Sequence, residues 1–193
     1  MLVTFEGIDG VGKSTQIELL KDVLKDVIIT KEPGGTEFGE RLREILLTDS
    51  GKISRAAEMF LFLADRAEHY QRVVKPNLDK IILSDRGFIS GVSYAMANDE
   101  NLDIDDLLNL NKVALEGNFG DKFIFFKIDE ENLKKRLFSR GTSDNIENRG
   151  VAYLLRVQDY MEMIFKNIKF DTLVVNAADE PLEIHKKIKE FIR

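Results

Sequence analysis

The sequence predicts an α/β fold: a five-stranded parallel sheet with helices on both faces, three layers in all. Three observations predict it. Five short apolar, β-prone runs recur at Leu2–Phe5, Val27–Thr30, Ile81–Leu83, Phe123–Ile128 and Leu173–Val175. Amphipathic helical stretches separate them, and strands alternating with helices imply a parallel sheet joined by right-handed crossovers. The first run leads straight into Gly7-Ile8-Asp9-Gly10-Val11-Gly12-Lys13-Ser14, which has the glycine, lysine and serine spacing of a phosphate loop.

Each element has its reason. Glycines let the loop backbone turn and bring its N–H groups onto phosphate oxygens. The pattern of Ile17, Leu19, Leu20, Val23 and Leu24 predicts a helix from Thr15 to Lys25, whose positive end adds to that anion site. Lys13 is placed to reach the outer phosphates, and the Ser14 hydroxyl to hold Mg²⁺. A glycine turn without ligand is the competing reading, and the strand–loop–helix context weighs against it. In open parallel sheets ligands lie beyond the carboxyl ends of the strands. Strand two ends in Lys31-Glu32-Pro33-Gly34-Gly35-Thr36 and strand three in Ser84-Asp85-Arg86. Asp85 is placed to meet the Mg²⁺ and its waters, and Arg86 to grip a phosphate with two parallel N–H groups. Arg41 and Arg43, two residues apart on the next helix, point to different faces, so at most one serves the site.

The stretch from Ser54 to Val74 reads as one long helix with Pro76 near its end. Its segment Met59-Phe60-Leu61-Phe62-Leu63-Ala64 is apolar right round and calls for cover on more than one side, so a partner subunit is expected. Phe62 and Arg66, four apart, share a face and can stack on and hydrogen-bond a base. Arg136 and Arg140 form a similar pair ahead of a polar, glycine-bounded stretch. A lid is expected there, at about 140–150. His69 and His185 lack ligand spacing and read as structural.

The 193 residues suit a single domain spanning 1–193, and no composition break, repeat or low-complexity tract divides them. A net charge of −6 offers no global basic field for nucleic acid, so an anionic substrate must be held by local arginines and backbone N–H groups. The absence of cysteine excludes disulfides, thiol chemistry and Cys-ligated zinc. No apolar run approaches the roughly 18 residues of a membrane span, and no signal peptide is visible, so a cytoplasmic location is expected.

Together these pieces resemble the bacterial-type thymidylate kinases, over the stretch from Leu2 to about Arg149. The closing strand and helix also look similar. The phosphate loop alone marks a superfamily. The specific match is Phe5-Glu6-Gly7 leading the loop, Glu32-Pro33-Gly34-Gly35-Thr36, Ala64-Asp65-Arg66, and Asp85-Arg86 with Ser90 following. The resemblance implies a three-layer P-loop NTPase fold, here a nucleoside monophosphate kinase-like domain. It also implies transfer of the ATP γ-phosphate to dTMP with Mg²⁺, by a homodimer.

It assigns roles residue by residue. The loop from Gly7 through Ile8, Asp9, Gly10, Val11, Gly12, Lys13 and Ser14 to Thr15 would bind ATP, with Arg136 and Arg140 on the ATP side. Lys13, Asp9 and Arg86 would carry the catalysis, and Ser14 and Asp85 the metal; because neither Gly10 nor Asn145 supplies the usual cation, Arg140, ahead of Arg149, is expected to take that catalytic place. Arg43 and Arg86 would hold the dTMP phosphate beside Glu32, Pro33 and Ser90. Asp9 would face the 3′-hydroxyl. Phe62 would stack on thymine, Arg66 would bond its O4, and Tyr94 would crowd the 2′ position. This chain departs from the family pattern at Ala95 (often Gln), Gly87 (often Tyr or His) and Asn145 (a lid Arg). The eukaryotic type carries an Arg inside the loop, where this chain has Gly10.

The alternatives are another P-loop deoxynucleotide or nucleoside kinase, and a module that binds ATP without turnover. A GTPase fits poorly, because Asn111-Lys112-Val113-Ala114 lacks the Asp that guanine recognition needs.

Overall fold

The computed structural model describes residues 1–48, 52–140 and 150–193, the side chains of residues 139 and 140 excepted. Five strands form one sheet: β1 (Leu2–Glu6), β2 (Val27–Lys31), β3 (Ile81–Asp85), β4 (Lys122–Lys127) and β5 (Thr172–Asn176). Their order is β2-β3-β1-β4-β5, and every pairing is parallel. β1 is central and buried along its whole length, hence its mostly apolar run Leu2-Val3-Thr4-Phe5 ahead of the loop. Register sets the site: Phe5 lies opposite Asp85, and Asp85 opposite Lys31, so three strands end together.

The helices are α1 (Lys13–Lys21), α2 (Glu37–Thr48), α3 (Arg55–His69), α4 (Phe88–Asn98), α5 (Ile104–Ala114), α6 (Glu130–Arg140), α7 (Val151–Asn167) and α8 (Pro181–Phe191). They lie on both faces of the sheet; α1 packs with α8, while α4 packs with α3 and α7. The core is rich in phenylalanine, with Phe5, Phe123, Phe125 and Phe126 fully buried. Phe88 sits edge-on to Phe123, ring centroids 5.9 Å apart.

Two helix boundaries differ from the sequence reading. α1 starts at Lys13 and stops at Lys21, leaving Val23 46% exposed outside it. Gly12 at φ 95 makes the left-handed step into that helix, which disfavours any other residue. The long helix is two pieces. α3 opens on Ser54, whose hydroxyl accepts from the Ala57 N–H, and a π-helical turn, Tyr70–Val74, continues it.

Candidate active site

The phosphate loop runs from the end of β1 over the start of α1. Lys13 is buried and folds back, its Nζ donating to the carbonyls of Gly7 at 3.1 Å and Ile8 at 3.0 Å. Burial and the nearby Arg86 lower its pKa to about 8, against the pull of Asp85, Asp9 and Glu6. Ser14 Oγ donates to Asp85 Oδ2 at 2.7 Å, and Lys13 Nζ lies 4.0 Å from Asp85 Oδ1. Gly10, Gly12, Lys13, Ser14 and Thr15 line one cavity. Ile8 and Val11 are core side chains, so only their backbone can serve a ligand. Arg136 donates to the carbonyls of Gly10, at 3.1 Å, and Ala177.

A second cavity adjoins the first. It is lined by Asp9, Glu32, Pro33, Arg43, Phe62, Arg66, Arg86, Ser90 and Tyr94, among others. The two cavities share Asp9, Glu32, Arg43 and Arg86. Arg86, just past β3, reaches across to the loop: Nη1 donates to Gly7 O at 2.8 Å and to Ser90 Oγ at 3.1 Å, and Nη2 to Asp9 Oδ1 at 2.5 Å. The Tyr94 hydroxyl donates to Asp9 Oδ2 at 2.9 Å. Burial works against the charge on Asp9, but Arg86, Lys13 and Tyr94 outweigh it and hold its pKa at about 2. Of the two arginines on α2, Arg43 donates to Pro33 O at 3.0 Å and lines both cavities, while Arg41 is exposed and pairs with Glu37.

Beneath the second cavity lies a buried polar network. Arg66 donates from Nε to Glu32 Oε2 at 2.8 Å, from Nη1 to Asn111 Oδ1 at 2.7 Å and from Nη2 to Gly87 O at 3.1 Å. A guanidinium has five N–H groups, so these three bonds leave one on each Nη. A Cβ at position 91 would lie 2.9 Å from both Nη atoms, so the glycine lets the guanidinium pack closely against α4. His69 joins the network, with Nδ1 2.8 Å from Glu32 Oε1 and Nε2 2.6 Å from Thr30 Oγ1. Although buried, Glu32 has a lowered pKa because Arg66 and His69 face it. Asp65 accepts from the Gly34 N–H at 2.9 Å, and its burial lifts its pKa to about 6.

Sequence reasoning missed Asn111 and Glu6 as site residues. Asn111 is the very residue that figured only in the guanine argument; its i,i+4 bond to Leu107 O and the Arg66 contact leave it 3% exposed. Glu6 was visible only as part of a motif. Its place against Ser90 depends on a contact 84 residues away along the chain. Arg140 ends α6 with its side chain outside the described residues, and the expected lid with Asn145 lies outside them as well, Gly150 excepted.

A family model described as thymidylate kinase matches residues 5–188. The chain belongs to the thymidylate kinase family. It is 60% identical to the thymidylate kinase of Campylobacter fetus subsp. fetus (strain 82-40), with all of both chains covered. Identity to that of Sulfurovum sp. (strain NBC37-1) is 50%, also over both full chains. The crystal structure of thymidylate kinase from Ehrlichia chaffeensis superposes with a TM-score of 0.80 at 26% identity, covering 100% of this chain and 98% of that one. Within a thymidylate kinase, two departures noted above gain a physical setting. Gly87 packs so closely that a Cβ would meet Thr4 Cγ2 at 2.7 Å, which excludes a Tyr or His without movement. Ala95 lines a small cavity together with Phe62, Arg66, Gly91 and Asn111.

Proposed function

We propose that the chain transfers the γ-phosphate of ATP to dTMP, giving ADP and dTDP. One observation carries the reading: the phosphate-loop cavity and the pocket around Phe62 and Arg66 are two ends of one groove, joined at Asp9, Glu32, Arg43 and Arg86. An acceptor phosphate between Arg43 and Arg86 would lie beside the loop that cradles the donor. The P–O bond to the β-phosphate breaks as one forms to a dTMP phosphate oxygen, and ADP carries away the released charge. Such transfer needs positioning and neutralisation rather than a covalent intermediate. Lys13 and the loop N–H groups neutralise the donor phosphates, Arg86 and Arg43 orient the acceptor, and Asp9 holds Arg86 and the 3′ side of the sugar. Phe62 offers the base a ring to stack on. Arg66 offers the base its two remaining N–H groups, which suit a carbonyl at position 4 and reject an amino group there. Arg136, and Arg140 by its place in the sequence, serve the ATP side.

Mg²⁺ fits the oxygens at Ser14 and Asp85. Among the described residues no group of three or more His, Cys, Asp or Glu gathers, which suits a cation that keeps waters and phosphate oxygens as its other ligands. When bound it supplies charge neutralisation at the phosphates. A homodimer through α3 is supported by its uncovered apolar face, where Phe60 is 56% exposed and Ala64 is exposed too. Sedimentation as a monomer at micromolar concentration would remove the dimer. The cytoplasm is the compartment that supplies ATP and dTMP together, and no helix among the described residues is long and apolar enough to cross a membrane. ADP release measured with dTMP, dCMP and thymidine tests the function. Turnover should require dTMP; turnover with thymidine instead would make it a nucleoside kinase.

A further inference from the structure

We propose that Glu6 is a positioning residue: through the Ser90 hydroxyl it fixes how Arg86 presents its guanidinium to the acceptor phosphate. The proposal rests on the reading that Arg86 holds that phosphate. Glu6 ends β1 and is fully buried. Its Oε2 accepts both the Ser90 N–H, at 3.1 Å, and the Ser90 hydroxyl. A hydroxyl has a single proton. Given to Glu6, it leaves only lone pairs facing Arg86, and Arg86 Nη1 donates to them at 3.1 Å. The other acceptors on this guanidinium, Gly7 O and Asp9 Oδ1, both belong to the phosphate loop. Ser90 is the hydrogen-bonding anchor on α4, where the centre of the Tyr94 ring also lies 5.4 Å from Arg86 Cζ, so the guanidinium is held by α4 as well as by the loop. A Ser90 hydroxyl without its acceptor could turn its proton toward Arg86 and lose that anchor.

Stability does not explain Glu6. Its Oε1 has no partner, and an unsatisfied buried polar atom costs free energy that an apolar side chain would spare. Burial pushes its pKa to about 7, even with Arg86 and Arg66 pulling the other way. Arg86 itself has φ 74, a left-handed backbone that non-glycine residues adopt only when their surroundings enforce it. Ser84, whose hydroxyl donates to Arg86 O at 2.7 Å, and Phe5 O, which accepts the Arg86 N–H at 2.9 Å, hold that backbone.

The test measures kcat and the KM for dTMP and for ATP in Glu6→Leu, Glu6→Gln, Ser90→Ala, Arg86→Ala and the double variant Ser90→Ala/Glu6→Leu. Glu6→Leu and Ser90→Ala should each raise the KM for dTMP about tenfold and change the KM for ATP less than about twofold. Glu6→Gln keeps an acceptor for the hydroxyl and should stay within about threefold of the parent. The double variant should be no worse than Ser90→Ala, because Glu6 acts through that hydroxyl. Three results overturn the proposal: additive effects in the double variant, a Gln enzyme as impaired as the Leu one, or both KM values moving together with Tm. If Glu6→Leu does not fold, Ser90→Ala reads the same contact from its other side, and an unchanged KM for dTMP there overturns the relay. An Arg86→Ala enzyme with unaltered KM for dTMP removes the phosphate assignment, and the relay with it. A raised KM in Arg86→Ala alone leaves the assignment standing and overturns only the relay.

Discussion

At the donor end of the groove the phosphate loop is mostly backbone. Its turns come from neighbouring glycines, its dipole from α1, and Lys13 is tied to carbonyls only six and five residues away. The acceptor end is made of side chains from the end of β1, the β2 loop, α2, α3, the end of β3, α4 and α5. Glu32, the α3 pair Arg66 and His69, and Asn111 come from three separate stretches of the chain, and each is at least nine-tenths buried. The donor end can therefore lose its key side chain and still fold. At the acceptor end, function and stability rest on the same groups, because a buried ion pair stripped of one partner leaves an uncompensated charge.

The largest effect on turnover should come from Lys13→Ala, which removes the charge at the donor phosphates. We expect kcat to fall by about 10²–10³ or more, with Tm unchanged or slightly higher because a buried ammonium is gone. A kcat within tenfold of the parent would contradict this. Arg66→Leu should instead damage both properties. It leaves Glu32 buried against His69 alone, and we expect a loss of about 3–5 kcal/mol, or roughly 10 °C in Tm, with a raised KM for dTMP. Equal Tm values for the Lys13 and Arg66 variants would erase the contrast between the two ends.

Asn111→Leu probes the acceptor end more gently. It frees one arm of Arg66 without stranding a charge, so the preference for dTMP over dCMP should fall about five- to tenfold while the KM for ATP holds. An unchanged preference would mean that Asn111 only packs. The smallest effect is pH-dependent. Asp65 has its pKa raised by burial to about 6 from 3.8, so the folded state binds its proton more tightly than the unfolded one. The native protein gains stability from this group as pH falls through about 6 toward 4, and carries the full penalty above it. Asp65→Asn keeps an oxygen for the Gly34 N–H and should raise Tm at pH 8, with the gain shrinking by pH 5. A gain independent of pH would show that the carboxylate's charge is not the cause.

The same contrast governs what could be read from sequence. The parallel sheet and the phosphate loop were legible because apolar runs and a local glycine spacing encode them. Lys13, Ser14 and Asp85 were legible because each sits a fixed step from a strand end. The pairing of Phe62 and Arg66 followed from helix periodicity, and so did the divergence of Arg41 and Arg43. The clamps on Arg66 were not legible, since Asn111 comes 45 residues later and nothing local marks it. Nor could the sequence say that α3 gives way to a π-helical turn after His69, because the apolar periodicity runs on through Tyr70 and Val74.

Donor and acceptor ends form one groove, meeting at Asp9, Glu32, Arg43 and Arg86. The most direct measurement is the affinity of a bisubstrate compound, adenosine joined to thymidine through a chain of phosphates, titrated beside ATP and dTMP. Joining two ligands that occupy adjoining sites makes the second contact intramolecular, so the compound should bind at least about 10²-fold more tightly than either nucleotide and compete with both. Affinity no better than that of ATP alone, with dTMP still able to bind, would contradict the account.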